Sequence, residues 1–427
     1  MRRTALGTAL GVAAVLGVQA AASGAGDRAG HDGPRRLALT DLGGGEAVLT
    51  RRTTEPFELL GVSWTDPHAE IHGRIEVRTR DADDGEWSDW IALAPHPADL
   101  DGRRPGAPGS TEPVWVGASD GAEVRISDGD GDGGGDRDGG GNGEGDGGGG
   151  GGVPGRLPAG LVLDLIDAGG RPGGADAAGR PVGADAAGRP GGADAEPAVF
   201  TAALPGRSDG PPSSAPRPEI VSRAEWGGEE IEEKTPEPAQ YLPGGRIKAV
   251  FVHHTAGADY RCADSASIVR SILDYHVDVE KWRDIGYNFL VDKCGTVFEG
   301  RKGGIDQPVL GAHTYGWNAE STSVAFIGDF TAQAAPEPAL AAAARVIAYK
   351  LGQYGVDPRG RVRLTAGATQ KNYFGEAFTY GQVYEFDAVS GHRSGFATEC
   401  PGDSLYPQLP GLRDRAAGDG GVLGLLD

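Results

Sequence analysis

Basic residues are in short supply in this chain, cysteine is scarce, and long apolar runs are confined to one end; each shortage excludes something. Forty Lys and Arg stand against 61 Asp and Glu, a formal net charge of −21. That balance argues against nucleic acid as a partner, because a phosphate backbone attracts a basic face. It argues equally against adhesion to anionic membranes or anionic wall polymers. The one extended apolar run lies at about residues 5–22, behind Met1, Arg2 and Arg3. It is short, broken by glycine and poor in large apolar residues, so it reads as a signal peptide over 1–26 rather than a retained anchor. No second apolar span follows, and the mature protein is expected to be exported, with no integral membrane span. Three cysteines in an exported chain leave an odd one after any disulfide forms. The most economical sorting pairs Cys262 with Cys294 and leaves Cys400 free; pairing of Cys400 with either is the alternative.

Glycine, by contrast, is abundant, with 74 residues concentrated between two more ordinary stretches. The excess marks linker rather than fold. Residues 37–168 carry short strand-like pieces at 57–64, 71–80, 87–93, 114–117, 122–126 and 161–166, separated by turn residues. They predict a β-sandwich-like domain. Trp64, Trp87, Trp90 and Trp115 in it suit either a core or a sugar-stacking surface. A Gly/Asp-rich insertion over 127–155 has no large apolar residue in the ligand-like stretch that would fix a repeat strand, and reads as disordered. A nine-residue period follows (RPGGADAAG, RPVGADAAG, RPGGADAEP), and 169–217 reads as a flexible linker.

Folding signals return near residue 218 and persist to 415, ahead of a tail at 416–427. Residues 247–254 (IKAVFVHH) form an apolar run fit for a central buried strand. A helix follows, capped by Asp264 or Ser265, with Ile268, Ile272, Tyr275 and Val279 on one face. A hairpin over 285–299, a strand over 322–327 and a helix over 338–354 complete a mixed sheet flanked by helices. His392 and Cys400 are separated by seven residues in GHRSGFATECPGD. With one histidine of the 253–254 pair they can hold zinc, leaving the fourth tetrahedral position open, as in catalytic rather than structural sites. Adjacent residues of a strand face opposite ways, so only one of His253 and His254 can serve, and spacing does not choose between them. His276 falls near the apolar helix face and reads as packed; His313 lies on a loop.

Seven segments in series then resemble a known family: SRAEW at Ser222, VFVHHTAG at Val250, WRDIGYNFLVD at Trp282, GTVFEGR at Gly295, GAHTYGWN at Gly311, SVAFIGDF at Ser323 and GHRSGFATECPGD at Gly391. The region is similar to the zinc amidases that include peptidoglycan recognition proteins and amidase-type phage lysozymes. The resemblance implies His253, His392 and Cys400 as zinc ligands, Tyr287 and Thr398 as catalytic residues, and His313 and Asn318 as substrate contacts. It also implies peptidoglycan or muropeptides as the partner, a secreted or wall-associated location, and N-acetylmuramoyl-L-alanine amidase activity. A peptidoglycan-binding receptor with little turnover is the competing expectation. The segment 302–310 (KGGIDQPVL) lacks the residue pair that sets stem-peptide preference in recognition proteins, and 373–386 reads as an inserted hairpin bordering the groove.

Overall fold

The computed structural model describes residues 33–69, 71, 73–96, 104–127, 156–167, 215–229 and 235–419. The expected signal peptide, all but the first residue of the Gly/Asp-rich insertion, and the nine-residue repeats lie outside these residues.

Among the described residues the N-terminal domain contains nine strands: β1 (Arg35–Ala38), β2 (Thr40–Gly43), β3 (Glu46–Trp64), β4 (Arg74–Asp81), β5 (Ile91–Leu93), β6 (Pro95–His96), β7 (Gly109–Thr111), β8 (Val114–Ser127) and β9 (Val162–Ile166). They pair in the order β1-β9-β3-β8-β4-β5, with β2 and β7 on β3 and β6 on β7. The pieces expected at 114–117 and 122–126 are one strand, β8, which runs antiparallel to β3 through several register shifts. Bulges of this kind bend a long strand and let one sheet wrap around a core. That core includes Phe57, Leu60, Val62, Ile75, Val77 and Leu163. Trp64 is buried in it, whereas Trp87 and Trp90 are half-buried and stack under the guanidinium groups of Arg51, Arg78 and Arg125.

The C-terminal domain is built on a mixed five-stranded sheet. Its strands are β10 (Ala249–His254), β11 (Phe289–Val291), β12 (Val297–Glu299), β13 (Ser321–Phe326) and, after the small strands β14 (Arg361–Thr365), β15 (Gln370–Lys371), β16 (Ala377–Phe378) and β17 (Val383–Asp387), the edge strand β18 (Val389–Gly391). The order is β12-β11-β13-β10-β18, and β10 runs parallel to both neighbours. Helices are α1 (Arg223–Trp226), α2 (Ser265–Asp274), α3 (Glu337–Gly352), α4 (His392–Gly395) and α5 (Leu409–Asp419). All six residues of β10 are buried, as the apolar run requires when both faces are covered. Val250 and Val252 face the core beneath α3 and α5, while Ala249 and Phe251 face Trp317, Leu364, Phe378 and Phe386. The second covering layer comes from the small pairs β14–β17 and β15–β16, of which only the 373–386 portion was anticipated. The expected helix continues past α2 as a π-turn, Tyr275–Val279, and Ile268, Ile272, Tyr275 and Val279 are all buried.

The two domains share a core. Leu59, Trp115 and Ile166 of the first pack with Ile268, Ile272, Tyr275 and Tyr287 of the second. The close approach depends on two glycines. A Cβ on Gly61 would collide with the Tyr275 ring, and one on Gly257, where φ is +99°, would lie 2.6 Å from the Trp115 carbonyl oxygen. The two domains are thus docked on one another, while the segment expected as a flexible linker lies, apart from residues 215–217, outside the described residues.

Cys262 is bonded to Cys294, as the cysteine count suggested, tying the start of α2 to the β11–β12 turn across a separation of 32 residues. Cross-linking a loop of that length removes denatured-state entropy equivalent to about 3–4 kcal/mol. The double variant Cys262→Ser/Cys294→Ser is expected to lose roughly that much stability in urea unfolding; an unchanged midpoint would show that the bond contributes nothing.

Candidate metal centre

The pairing of β10 with β18 builds the site. Val252 lies opposite Gly391 in this parallel pair, so the next residues, His253 and His392, leave the ends of neighbouring strands side by side. Their ring centroids are 4.4 Å apart. His253 shares a face with Ala249 and Phe251, and His254 points to the opposite face, where its Nδ1 accepts from the Phe330 N–H at 3.2 Å. That resolves the ambiguity left by the histidine pair. After α4 the chain returns to Cys400, whose buried sulfur is 3.8 Å from His253 Nδ1 and accepts the His254 backbone N–H at 3.3 Å.

Among the described residues, His253, His392 and Cys400 form the one group of such side chains whose donor atoms all lie within 4.8 Å of one another. The set fits a divalent metal on independent grounds. Both ring nitrogens of His392 are buried with no hydrogen-bond partner, a costly arrangement unless an ion takes one of them. Burial, with smaller effects from neighbouring histidines, pushes His253 and His392 far below the usual imidazole range and keeps them in the neutral form that ligates. The same burial pushes the Cys400 thiol well up, so a thiolate there needs a cation beside it. Two nitrogens and one sulfur suit zinc. The Thr314 hydroxyl, 3.4 Å from His253 Nε2, is placed to orient that ring from behind.

The other expected site residues sit around this group. Tyr287 is 91% buried with its ring 5.4 Å from that of His253. Burial first, then the charges of Glu112, Cys400 and Glu280, hold its hydroxyl protonated. Thr398 is half-buried, and its hydroxyl accepts the Cys400 N–H at 3.2 Å. The His313 ring lies 5.3 Å from that of His253; its Nδ1 meets the Thr314 hydroxyl at 2.9 Å and its Nε2 is buried without a hydrogen-bond partner. Asn318, expected as a substrate contact, is instead fully buried. Its Oδ1 accepts the N–H groups of His313 and Thr314, both at 2.9 Å, which makes it a positioning residue for that loop. His276 is packed as expected, stacked on Trp282 with its Nδ1 accepting the Gly286 N–H. Motif reading missed Thr314, although it lies inside GAHTYGWN.

Five buried histidines, 253, 254, 276, 313 and 392, have lowered pKa values, His254 to about 4 and His313 to about 3. Each is neutral in the folded protein at pH values where the unfolded chain binds a proton. Stability is therefore full above about pH 6.5 and lost as pH falls below it, at about 1.4 kcal/mol per pH unit for each histidine. Glu112, pushed up to about 7 by burial, opposes this with one proton of the other sign. Chelator-treated protein should lose stability steeply between pH 6.5 and 5, and His313→Asn should reduce the slope by about one proton; a flat profile in urea titrations would contradict the burial.

Known proteins resemble both parts of the chain. Residues 18–143 match the family described as Rv3811 N-terminal galactose-binding domain-like, and residues 243–403 match the N-acetylmuramoyl-L-alanine amidase family. Peptidoglycan-recognition protein SC2 of Drosophila simulans is 32% identical over 192 residues, covering 44% of this chain and 84% of that protein. The N-acetylmuramoyl-L-alanine amidase of Sus scrofa is 34% identical over 195 residues, 45% of this chain and 27% of that protein. The solved structure of wild-type Drosophila PGRP-LB is 26% identical, covering 45% of this chain and 92% of that one with a TM-score of 0.34. Through its C-terminal domain, the chain belongs to the family of peptidoglycan-recognition proteins and N-acetylmuramoyl-L-alanine amidases.

Proposed function

We propose that the protein is an exported, zinc-dependent N-acetylmuramoyl-L-alanine amidase, hydrolysing the bond between the lactyl group of N-acetylmuramic acid and L-alanine of the peptidoglycan stem peptide. The observation that carries this reading is the convergence of two imidazoles and a thiol within 4.8 Å, beside Tyr287. In this reading residues 1–26 are a signal peptide, 37–168 an accessory domain, 169–217 a linker and 218–415 the amidase domain. The disulfide suits an oxidising compartment, and no described helix is long and apolar enough to cross a membrane.

A zinc ion held by His253, His392 and Cys400 would polarise the scissile carbonyl and acidify the attacking water. Tyr287 remains a phenol at neutral pH, so it acts as a donor to the oxygen on which negative charge develops, not as a base. The Thr398 hydroxyl accepts from Cys400 N–H and keeps its own proton to donate to the same oxygen. His313 Nε2 is available to a polar group of the substrate. Exposed Tyr373 and Phe374 lie on the inserted segment, where Tyr373 N–H donates to the carbonyls of Arg393 and Phe396 beside His392. They offer apolar faces at the rim for a sugar ring.

Purified protein incubated with muropeptides should release stem peptides detectable by mass analysis, lose that activity to chelator and recover it with zinc. Tyr287→Phe should lower kcat about 10²–10³-fold with little change in KM, and Cys400→Ser should lose both zinc and turnover. Activity indifferent to chelation, or retained in Cys400→Ser, would sink the reading. Tight muropeptide binding with no product after long incubation with zinc would mark a receptor.

A further inference from the structure

Residues 301–312 form an arm that leaves the sheet after β12 and returns before β13, and both of its ends are tied to the segment that carries Tyr287. The Arg301 N–H donates to the Tyr287 carbonyl at 2.8 Å, and the Ala312 N–H donates to the Gly286 carbonyl at 3.0 Å. Between these ends, buried Asn288 donates from Nδ2 to the Val309 carbonyl at 3.0 Å. The arm runs directly into His313, whose ring lies 5.3 Å from that of His253. The position of the arm therefore decides where His313 stands.

The outer edge of the arm is braced by residues 235–242. The Leu310 N–H donates to the Gln240 carbonyl and the Leu242 N–H to the Pro308 carbonyl, both at 2.9 Å, with Tyr241 and Val309 paired between them. Lys302 reaches back to the carbonyl and hydroxyl of Thr235. Apart from that single bridge the brace lies in neither helix nor sheet, so its place depends on what grips its other side. The N-terminal domain grips it. Arg104 Nε and Nη2 each donate to one carboxylate oxygen of Glu237 at 2.8 Å, a two-pronged geometry that fixes direction as well as distance. Both side chains are less than a third exposed, and the guanidinium holds the Glu237 carboxyl down at about 2, so the fork is charged across the neutral range. The Arg104 N–H also donates to the Lys281 carbonyl at 2.8 Å, on the chain that runs from the π-turn to Tyr287. One residue of the first domain thus joins the two segments of the second that converge on the site.

We propose that Arg104, supplied by the N-terminal domain, is a positioning residue for substrate binding: through Glu237 it sets the arm that presents His313. This rests on the amidase reading above, from which it takes its substrate. The line of contacts ends on His313 and on the backbone of residues 286–288, not on the three clustered donors, so the fork acts on affinity rather than on the attack of water. Without it the arm samples further conformers, only a fraction of molecules present His313 correctly, and apparent affinity falls by that fraction.

The test uses the full chain. Wild type, Arg104→Ala, Glu237→Ala, the double variant and the reversed pair Arg104→Glu/Glu237→Arg are compared by kinetics on a soluble muropeptide, by calorimetry of muropeptide binding to the metal-free protein, and by urea unfolding. Each single variant should raise KM and the metal-free Kd about 3–10-fold while kcat stays within about twofold of wild type. The double variant should be no worse than either single one, because both remove the same contact, and the reversed pair should recover most of the loss. Unchanged KM and Kd in both single variants overturns the proposal. A fall in kcat at constant KM does so too, and a lowered urea midpoint then marks the fork as a stabilising contact alone. Additive losses in the double variant also overturn it, since the two residues would then act separately. A wild type that binds muropeptide but releases no product defeats the amidase reading alone, and the Kd comparison still decides the role of Arg104; a wild type that neither cleaves nor binds overturns both.

Discussion

The parallel pairing of β10 with β18 is the constraint on which the site depends. One register brings Val252 opposite Gly391, and the two histidines that follow leave the sheet together at the carboxyl ends of adjacent strands. A slip of one residue in either strand would send one ring to the opposite face, because side chains alternate. The register is in turn held by burial: Val250 and Val252 must face α3 and α5, and Phe251 must face Trp317 and Phe386. The apolar pattern of β10 therefore does two things at once. It packs the sheet, and it decides which imidazole reaches the metal centre.

The second constraint is the docking of the N-terminal domain. Leu59 and Trp115 complete a core whose other members line α2 and the π-turn, so the first domain supplies part of the wall that holds Tyr287. Glycine at 61 and 257 permits that approach, and the buried hydrogen bond from Ser110 to Glu280 fixes its orientation. The Trp87 and Trp90 rings lie elsewhere on that domain, engaged by arginines.

Much of the C-terminal domain was legible in the sequence because its elements are buried. A central parallel strand reads as a continuous apolar run, an amphipathic helix reads through its period, and both appear where expected, at β10 and α2. The choice between His253 and His254 was not legible from spacing, since it depends on which face of the sheet the small strands cover. Those strands were largely missed: β14 (RVRLT) alternates exposed Arg361, Arg363 and Thr365 with half-buried Val362 and buried Leu364, too short an apolar signal to stand out. Asn318 was misjudged because an amide in a loop motif looks alike whether it meets a ligand or ties the loop to itself. The docked interface was invisible for a simpler reason. Leu59 and Trp115 look like ordinary core residues, and nothing local tells which core they join.

Charge balance links these features. A pocket that buries two histidines, a thiol and a phenol holds both rings neutral and both acids protonated, so it has no net charge of its own. A divalent ion held there would need compensating negative charge, since an uncompensated buried charge costs several kcal/mol. Cys400, which accepts the His254 N–H, would supply one unit of it as a thiolate. Among the described residues the donor group holds no second acid. Docking is a packing requirement on the same region: Leu59, Trp115 and Ile166 of the first domain complete the core in which Tyr287 is buried beside this group.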